Sequence, residues 1–241
     1  MAPGYADIAG QYRERILNGG LSPGDSMPSL SEGVALHGVN RTTMVRAYEV
    51  LRQEGLIASQ PGRGTVVTRR PRVVVTGAQR ATRLDSGGPD LATGETVSNR
   101  AVAVEPCSDT HIAAELGVSH GDAVVLRRRV FCVDGTPATY ALTYIHTRAL
   151  SDVPEIMTDG PLGDWRPLYE QRTGRTVSRS PERRGARLAR PAELAALTVQ
   201  LPDGDVAVPV LVTQTTWHDD DGPLMVMEDV YRPGTWQISN E

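Results

Sequence analysis

Between residues 29 and 64 the chain reads Ser29-Leu30-Ser31-Glu32, then Gly38-Val39-Asn40-Arg41-Thr42-Thr43, then Arg46-Ala47-Tyr48, and closes on Pro61-Gly62-Arg63-Gly64. Ser29 and Glu32 have capping-box spacing: the hydroxyl bonds the amide three residues on and the carboxylate reaches back, so a short helix starts here and stops at Gly38. Asn40 caps another helix after a tight turn. In that helix Met44, Ala47, Tyr48 and Leu51 recur at i, i+3, i+4 and i+7 as a core stripe, with Thr42, Arg46, Glu49 and Gln53 on the opposite, solvent side. Gly55 closes it. Leu56 to Gln60 and Thr65 to Thr68 then read as two strands around a glycine-rich tip that carries Arg63. Upstream, Tyr5, Ile8, Ala9, Tyr12 and Ile16 have helical spacing, and Asn18-Gly19-Gly20 ends that first helix.

Helix, helix, tight turn, helix, hairpin is the order of a winged helix-turn-helix. The third helix puts Arg41, Thr42 and Thr43 at a helix N-terminus, where side chains reach base edges and phosphates in the major groove. Arg63, between glycines that allow close backbone approach, suits the adjacent minor groove or a phosphate. A small helical domain with solvated arginines is the blander alternative. Agreement of capping, stripe and wing favours DNA.

These motifs, with Leu21-Ser22-Pro23-Gly24-Asp25 and Glu54-Gly55-Leu56-Ile57, closely resemble the GntR family of bacterial transcription regulators over about residues 5 to 68. The resemblance implies DNA contacts from Arg41, Thr42, Thr43, Gly62 and Arg63; Ser29, Arg46 and Gly64 complete the candidate set. Where the family has an arginine early in the second helix this chain has Ser31, and the leucine expected two residues later is Gly33.

The charge is unevenly spread. Of 241 residues with a net charge of −4, residues 1 to 84 hold 11 arginines against 6 acids, net +5, and the rest hold 14 against 23, net −9. That points to one anion-binding end. Every basic residue is arginine. The missing lysine excludes a pyridoxal Schiff base, a Walker A phosphate lysine and a serine/lysine hydrolase. Cys107 and Cys132 are too few for a disulfide scaffold and read as small reduced apolar residues. The densest apolar stretch, Val206 to Val212, is interrupted by Pro209 and is far too short to span a membrane, so a cytoplasmic protein is expected.

Arg69-Arg70-Pro71-Arg72 and the glycine-rich Gly77 to Gly94 read as a linker with few core residues. The expected organisation is a DNA-binding domain over 1–70, a linker over 71–95 and a second domain over 96–241. In that second domain Ala101 to Glu105 alternates, and Ser108-Asp109 caps a helix through Leu116. Ala123 to Val133 and Thr136 to Ile145 form a hairpin through Asp134-Gly135. The order repeats: Pro191 and Glu193 open a helix through Leu197, Gly204-Asp205 leads into Val206 to Trp217, Asp219 to Gly222 makes a solvated turn, and Leu224 to Tyr231 returns. A duplicated helix-plus-hairpin unit suits an antiparallel sheet flanked by helices, and the fold class is α+β.

This half looks like the UTRA effector-binding domain of the HutC subfamily of GntR regulators, on Glu115-Leu116-Gly117-Val118, Gly121-Asp122, Asp134-Gly135-Thr136-Pro137, Thr143-Tyr144, Leu168-Tyr169-Glu170 and Val230-Tyr231-Arg232. The resemblance implies a chorismate-lyase-like fold and a small-molecule effector. Arginine suits an anionic one, since its planar fork binds carboxylate or phosphate bidentately. Candidate effector residues are Arg127, Arg129, Tyr144, Glu228 and Arg232. Arg127 and Arg129 share a strand face and Arg128 points away; salt bridges on an exposed face are the competing reading for them. Three family positions differ, at Phe131, Ala141 and Met225; the lost polar groups imply either a ligand more apolar than a sugar phosphate or a pocket that has moved.

The histidines, His37, His111, His120, His146 and His218, lack paired metal-ligand spacing and read as surface or turn residues. No cofactor or metal is expected. The sequence thus predicts a dimeric regulator, a repressor, that binds a near-palindromic double-stranded operator and is released by an effector, with its two heads moved through the arginine-containing linker. The alternatives are a DNA-binding dimer with a ligand-blind C-terminal domain and a lyase-like enzyme domain fused to a DNA-binding head.

Overall fold

The computed structural model describes residues 3–18, 20–68, 72–158, 163–199 and 207–237. The readings at Gly19, Arg69-Arg70-Pro71 and Gly204-Asp205-Val206 therefore fall outside the described residues. The chain divides into two compact units, one formed by Met1–Val74 with Val199–Ala207 and Pro233–Glu241, the other by Val75–Thr198 and Val208–Arg232.

The first unit holds α1 (Tyr5–Leu17), α2 (Leu30–His37), α3 (Arg41–Gln53) and the hairpin β1 (Ile57–Gln60) and β2 (Gly64–Val67). The local signals act as expected. Ser29 Oγ accepts from the Glu32 amide at 3.2 Å while Glu32 accepts from the Ser29 amide at 2.7 Å, and Gly38 ends α2 in the left-handed conformation. The α3 stripe meets Ile8, Ala9 and Tyr12 of α1 and Ile57 and Val67 of the hairpin in one core. Gly33 is buried there: a Cβ at that position would lie 2.5 Å from Met44 Cε, so the methionine of α3 fills the space a larger α2 side chain would need. A strand β3 (Arg72–Val74) completes the N-terminal part of this unit.

The second unit runs α4 (Gly77–Asp85), β4 (Glu95–Pro106), α5 (Thr110–Leu116), β5 (Ala123–Val133), β6 (Thr136–His146), α6 (Thr147–Asp152), a 3-10 turn (Pro154–Met157), α7 (Arg166–Thr173), β7 (Ser178–Arg179), β8 (Arg183–Leu188), α8 (Pro191–Ala196), β9 (Pro209–Asp219) and β10 (Gly222–Tyr231). Its sheet is antiparallel in the order β4-β5-β6-β10-β9-β7, with β8 also on β9. The repeated units α5-β5-β6 and α8-β9-β10 meet through the central β6–β10 pair, as the duplicated pattern suggests. One sheet face packs against α4, α6 and α7 around Val125, Ile145, Trp165, Tyr169 and Trp217, and α5 and α8 lie over the other. The last strand, β11 (Thr235–Gln237), pairs in parallel with β3 and so belongs to the first unit.

Three sequence expectations change. The stretch 71–95 carries β3, α4 and the start of β4, and buries Val74, Thr76, Arg80, Ala81 and Glu95; its core-facing residues include the charged pair Arg80 and Glu95, which composition does not count as core. The strand expected over 101–105 runs over Glu95–Pro106, more than twice as long, with a bulge between Ser98 and Ala101. Asp219, expected in a solvated turn, is buried: its carboxylate accepts from Arg148 at 2.9 Å and from the Tyr169 hydroxyl at 2.6 Å.

Candidate nucleic-acid interface and effector cavity

In the first unit the candidate residues fall on the N-terminal ends of two helices and on the hairpin tip. Asn40 Oδ1 accepts from the Thr43 amide at 2.8 Å and from the Thr43 hydroxyl at 2.9 Å, which fixes the first turn of α3. Thr43 is thereby a half-buried capping partner, while Arg41 and Thr42 stand exposed at a helix end whose free amides and partial positive charge favour phosphate. Arg46, one turn on, is half-buried. Ser29 caps α2 and is exposed.

At the tip, Gly62 and Gly64 have φ of +75° and +77° with open space where a Cβ would be, so the turn depends on glycine. Arg63 between them is exposed and donates to the Gly24 carbonyl at 3.2 Å. The arrangement offers charge and hydrogen bonds on a rigid frame, which is what positioning on a nucleic-acid backbone needs.

The five candidate effector residues do not converge. Arg127 and Arg129 lie on the α4 side of the sheet, directly across from Thr143 and Ala141 of β6. Tyr144 lies across from Leu126 and Val226, on the opposite face. Glu228 shares that opposite face and is an ion-pair partner of Arg187 at 2.8 Å. Arg232 follows β10, and its amide donates to the Ala138 carbonyl at 2.9 Å. The physical reason is a β-bulge. The Asp134-Gly135 turn sets Val133 against Thr136 and Cys132 against Pro137, but the register then slips by one residue to Phe131 against Thr139. A one-residue slip moves every later side chain of β6 to the other face. Arg128 does point away from Arg127 and Arg129, towards Glu105.

On the α4 side a cavity of about 70 Å³ opens between the helix and the sheet. Its apolar wall is Ala81, Leu84, Trp165, Trp217, Met225 and Met227, and its polar wall is Arg80, Arg127, Arg129, Arg166, Thr143 and Asp164. Arg127 donates to the carbonyls of Ile156 and Thr158. Arg166 donates twice to Asp164, at 2.7 Å each, and to Asp85 at 2.6 Å. Arg129 has Asp90 at 3.4 Å. Arg80, which no sequence motif singled out, is 3 % exposed, donates to Glu95 at 2.6 Å and lies 3.6 Å from the centre of the Phe131 ring. Four guanidinium groups and one carboxylate line it; Glu95, Asp90 and Asp85, just outside the lining, pair with three of the arginines, so only the donors these acids leave open suit an anion.

Beside the cavity, Asp229 is 1 % exposed, and burial pushes its carboxyl up to about 6 against the pull of Arg80 and Arg129. A second, open cleft of about 430 Å³ on the opposite face is lined by Arg183, Arg187 and Arg190. Each of these is paired with acids: Arg183 with Glu115, Arg187 with Glu193 and Glu228, Arg190 with Asp109. Among the described residues no group of three or more histidines, cysteines or acids could hold a metal ion, and no helix is long and apolar enough to cross a membrane. Cys107 and Cys132 are free and buried.

Comparison with known proteins matches residues 4–67 to the bacterial regulatory proteins of the gntR family and residues 93–235 to the UTRA domain. An HTH-type transcriptional regulator of Streptomyces coelicolor is 28 % identical over 235 residues, covering 89 % of this chain and 84 % of its own. The HTH-type transcriptional repressor NagR of Bacillus subtilis is 30 % identical over 145 residues, 59 % of this chain and 58 % of its own. A solved GntR-family transcriptional regulator, 23 % identical, has a TM-score of 0.52 over 99 % of this chain and 98 % of its own, a likeness of fold.

Proposed function

The chain belongs to the UTRA-domain regulators of the gntR family, DNA-binding transcription regulators with an effector domain, and from that premise we propose that it is a cytoplasmic, dimeric repressor released from its operator by a small anionic molecule. The observation that carries the DNA half is the first turn of α3, pinned by Asn40 and presenting Arg41 and Thr42 to solvent, with Arg63 also exposed at the hairpin tip. A twofold dimer of such heads reads a near-palindromic site. The repressor assignment is supported by the printed name of the Bacillus subtilis relative.

The effector half rests on the arginine-lined cavity under α4, with Arg129 as its ligand-facing residue. Tyr144, Glu228 and Arg232 are not part of that proposal, since the first two serve the opposite face and Arg232 is not among the residues lining the cavity. The effector acts by binding unequally to states of different operator affinity. The domain is proposed to bind and not to catalyse. Replacing Arg41 by alanine tests the DNA half: fluorescence anisotropy should record a loss of about 1–3 kcal/mol in specific operator binding. Unchanged affinity would remove the assignment of α3 as the reading helix.

A further inference from the structure

The four arginines of the cavity are not equally committed. Arg127 is tied to two backbone carbonyls, and Arg166 is saturated by Asp164 and Asp85. Arg80 has one short bond, to Glu95; its second acid, Asp229, stands at 4.0 Å, and its Nε is buried without a partner. Asp229 mirrors this: it is buried, its Oδ1 has no partner, and its Oδ2 has the Tyr231 hydroxyl at a long 3.4 Å. Arg129 is held by Asp90 at 3.4 Å, a contact at the outer limit of a hydrogen bond. Both guanidinium groups lie against the same Phe131 ring, Arg80 at 3.6 Å and Arg129 at 5.3 Å from its centre.

The sheet and α4 therefore bring together two cations with spare donors and one acid with a spare acceptor, in a place where unsatisfied polar atoms are costly. Gly77 lets α4 come this close, since a Cβ there would sit 2.6 Å from Met227 and 2.8 Å from Asp229. We propose that Arg80 is the second arm of an oxyanion clamp, working with Arg129 across Phe131, and that the oxyanion of an entering ligand competes with Asp229 for its guanidinium. This rests on the anion-binding reading of the cavity. It adds a ligand-binding residue supplied by α4 and assigns Asp229 the part of an internal competitor. It also favours a compact oxyanion on an apolar body, because the apolar wall of the cavity is tryptophan, methionine, alanine and leucine.

Inorganic phosphate is the probe, with chloride at matched ionic strength as the control and the fluorescence of Trp165 and Trp217 in the full chain as the readout. Arg80→Ala and Arg129→Ala should each weaken phosphate binding tenfold or more, and Asp229→Asn, which removes the competing charge and keeps Arg80, should tighten it several-fold. Arg129→Ala losing phosphate while Arg80→Ala and Asp229→Asn keep the wild-type constant would overturn the clamp and leave the cavity reading intact. No response of the wild type beyond chloride would overturn both. Should Arg80→Ala not fold, Asp229→Asn decides alone, since a packing role for Arg80 predicts no gain in affinity.

Discussion

Replacing Asp229 by asparagine should stabilise the protein in a pH-dependent way, and the size follows from its burial. The carboxyl sits in the native state near 6 against an ordinary value of 3.8, because burial disfavours its charged form more than Arg80 and Arg129 favour it. A carboxyl raised on folding binds its proton more tightly in the native than in the unfolded chain, so wild-type stability falls as pH rises through the window between the two values and stays reduced above it. The full cost above pH 7 is about 3 kcal/mol, at 1.36 kcal/mol for each pH unit. About 2 kcal/mol of it develops between pH 4.5 and 7.5. Asparagine cannot ionise. The gap in melting temperature between variant and wild type should therefore widen by about 4–8 °C from pH 4.5 to 7.5. Calorimetric melts at both pH values in one salt measure it, and any fixed effect of the amide cancels in the difference. A gap independent of pH, or one that narrows as pH rises, would refute the account of this cluster.

Other outcomes follow from the same geometry. Arg63→Ala should weaken operator and scrambled duplex alike and lower the slope of log affinity against log salt by about 1, measured by anisotropy titrations at several salt concentrations. Gly33→Leu should cost about 1–3 kcal/mol by overpacking against Met44, and adding Met44→Ala should recover part of it in denaturant unfolding. Arg129→Ala should leave operator binding unchanged and abolish release by the effector found in a metabolite screen; normal release would contradict its role.

The head was legible because its determinants are local. Ser29 with Glu32, Asn40 with Thr43, and glycine at the ends each act within one turn, and the Met44 stripe needs only helical periodicity to be seen. The β5–β6 hairpin was equally readable from Asp134-Gly135. What escaped was non-local. A slip at Phe131 decides which face Tyr144 joins, and the alternation of one strand does not contain it. The helix α4 escaped because it buries Gly77, Arg80 and Ala81, which composition reads as linker. Its signal was present in the Thr76 and Gln79 capping box, and Arg80 gains its partners only when β4 and β10 are in place.

The central claim is that the chain reads DNA as a twofold-symmetric pair of heads. Selection of bound duplexes from a randomised pool with the full-length protein tests it most directly. The account predicts enrichment of a near-palindromic sequence that binds far more tightly than its scrambled version, with a steep salt dependence. A pool without any enriched sequence, or equal affinity for the enriched and scrambled duplexes, would contradict it.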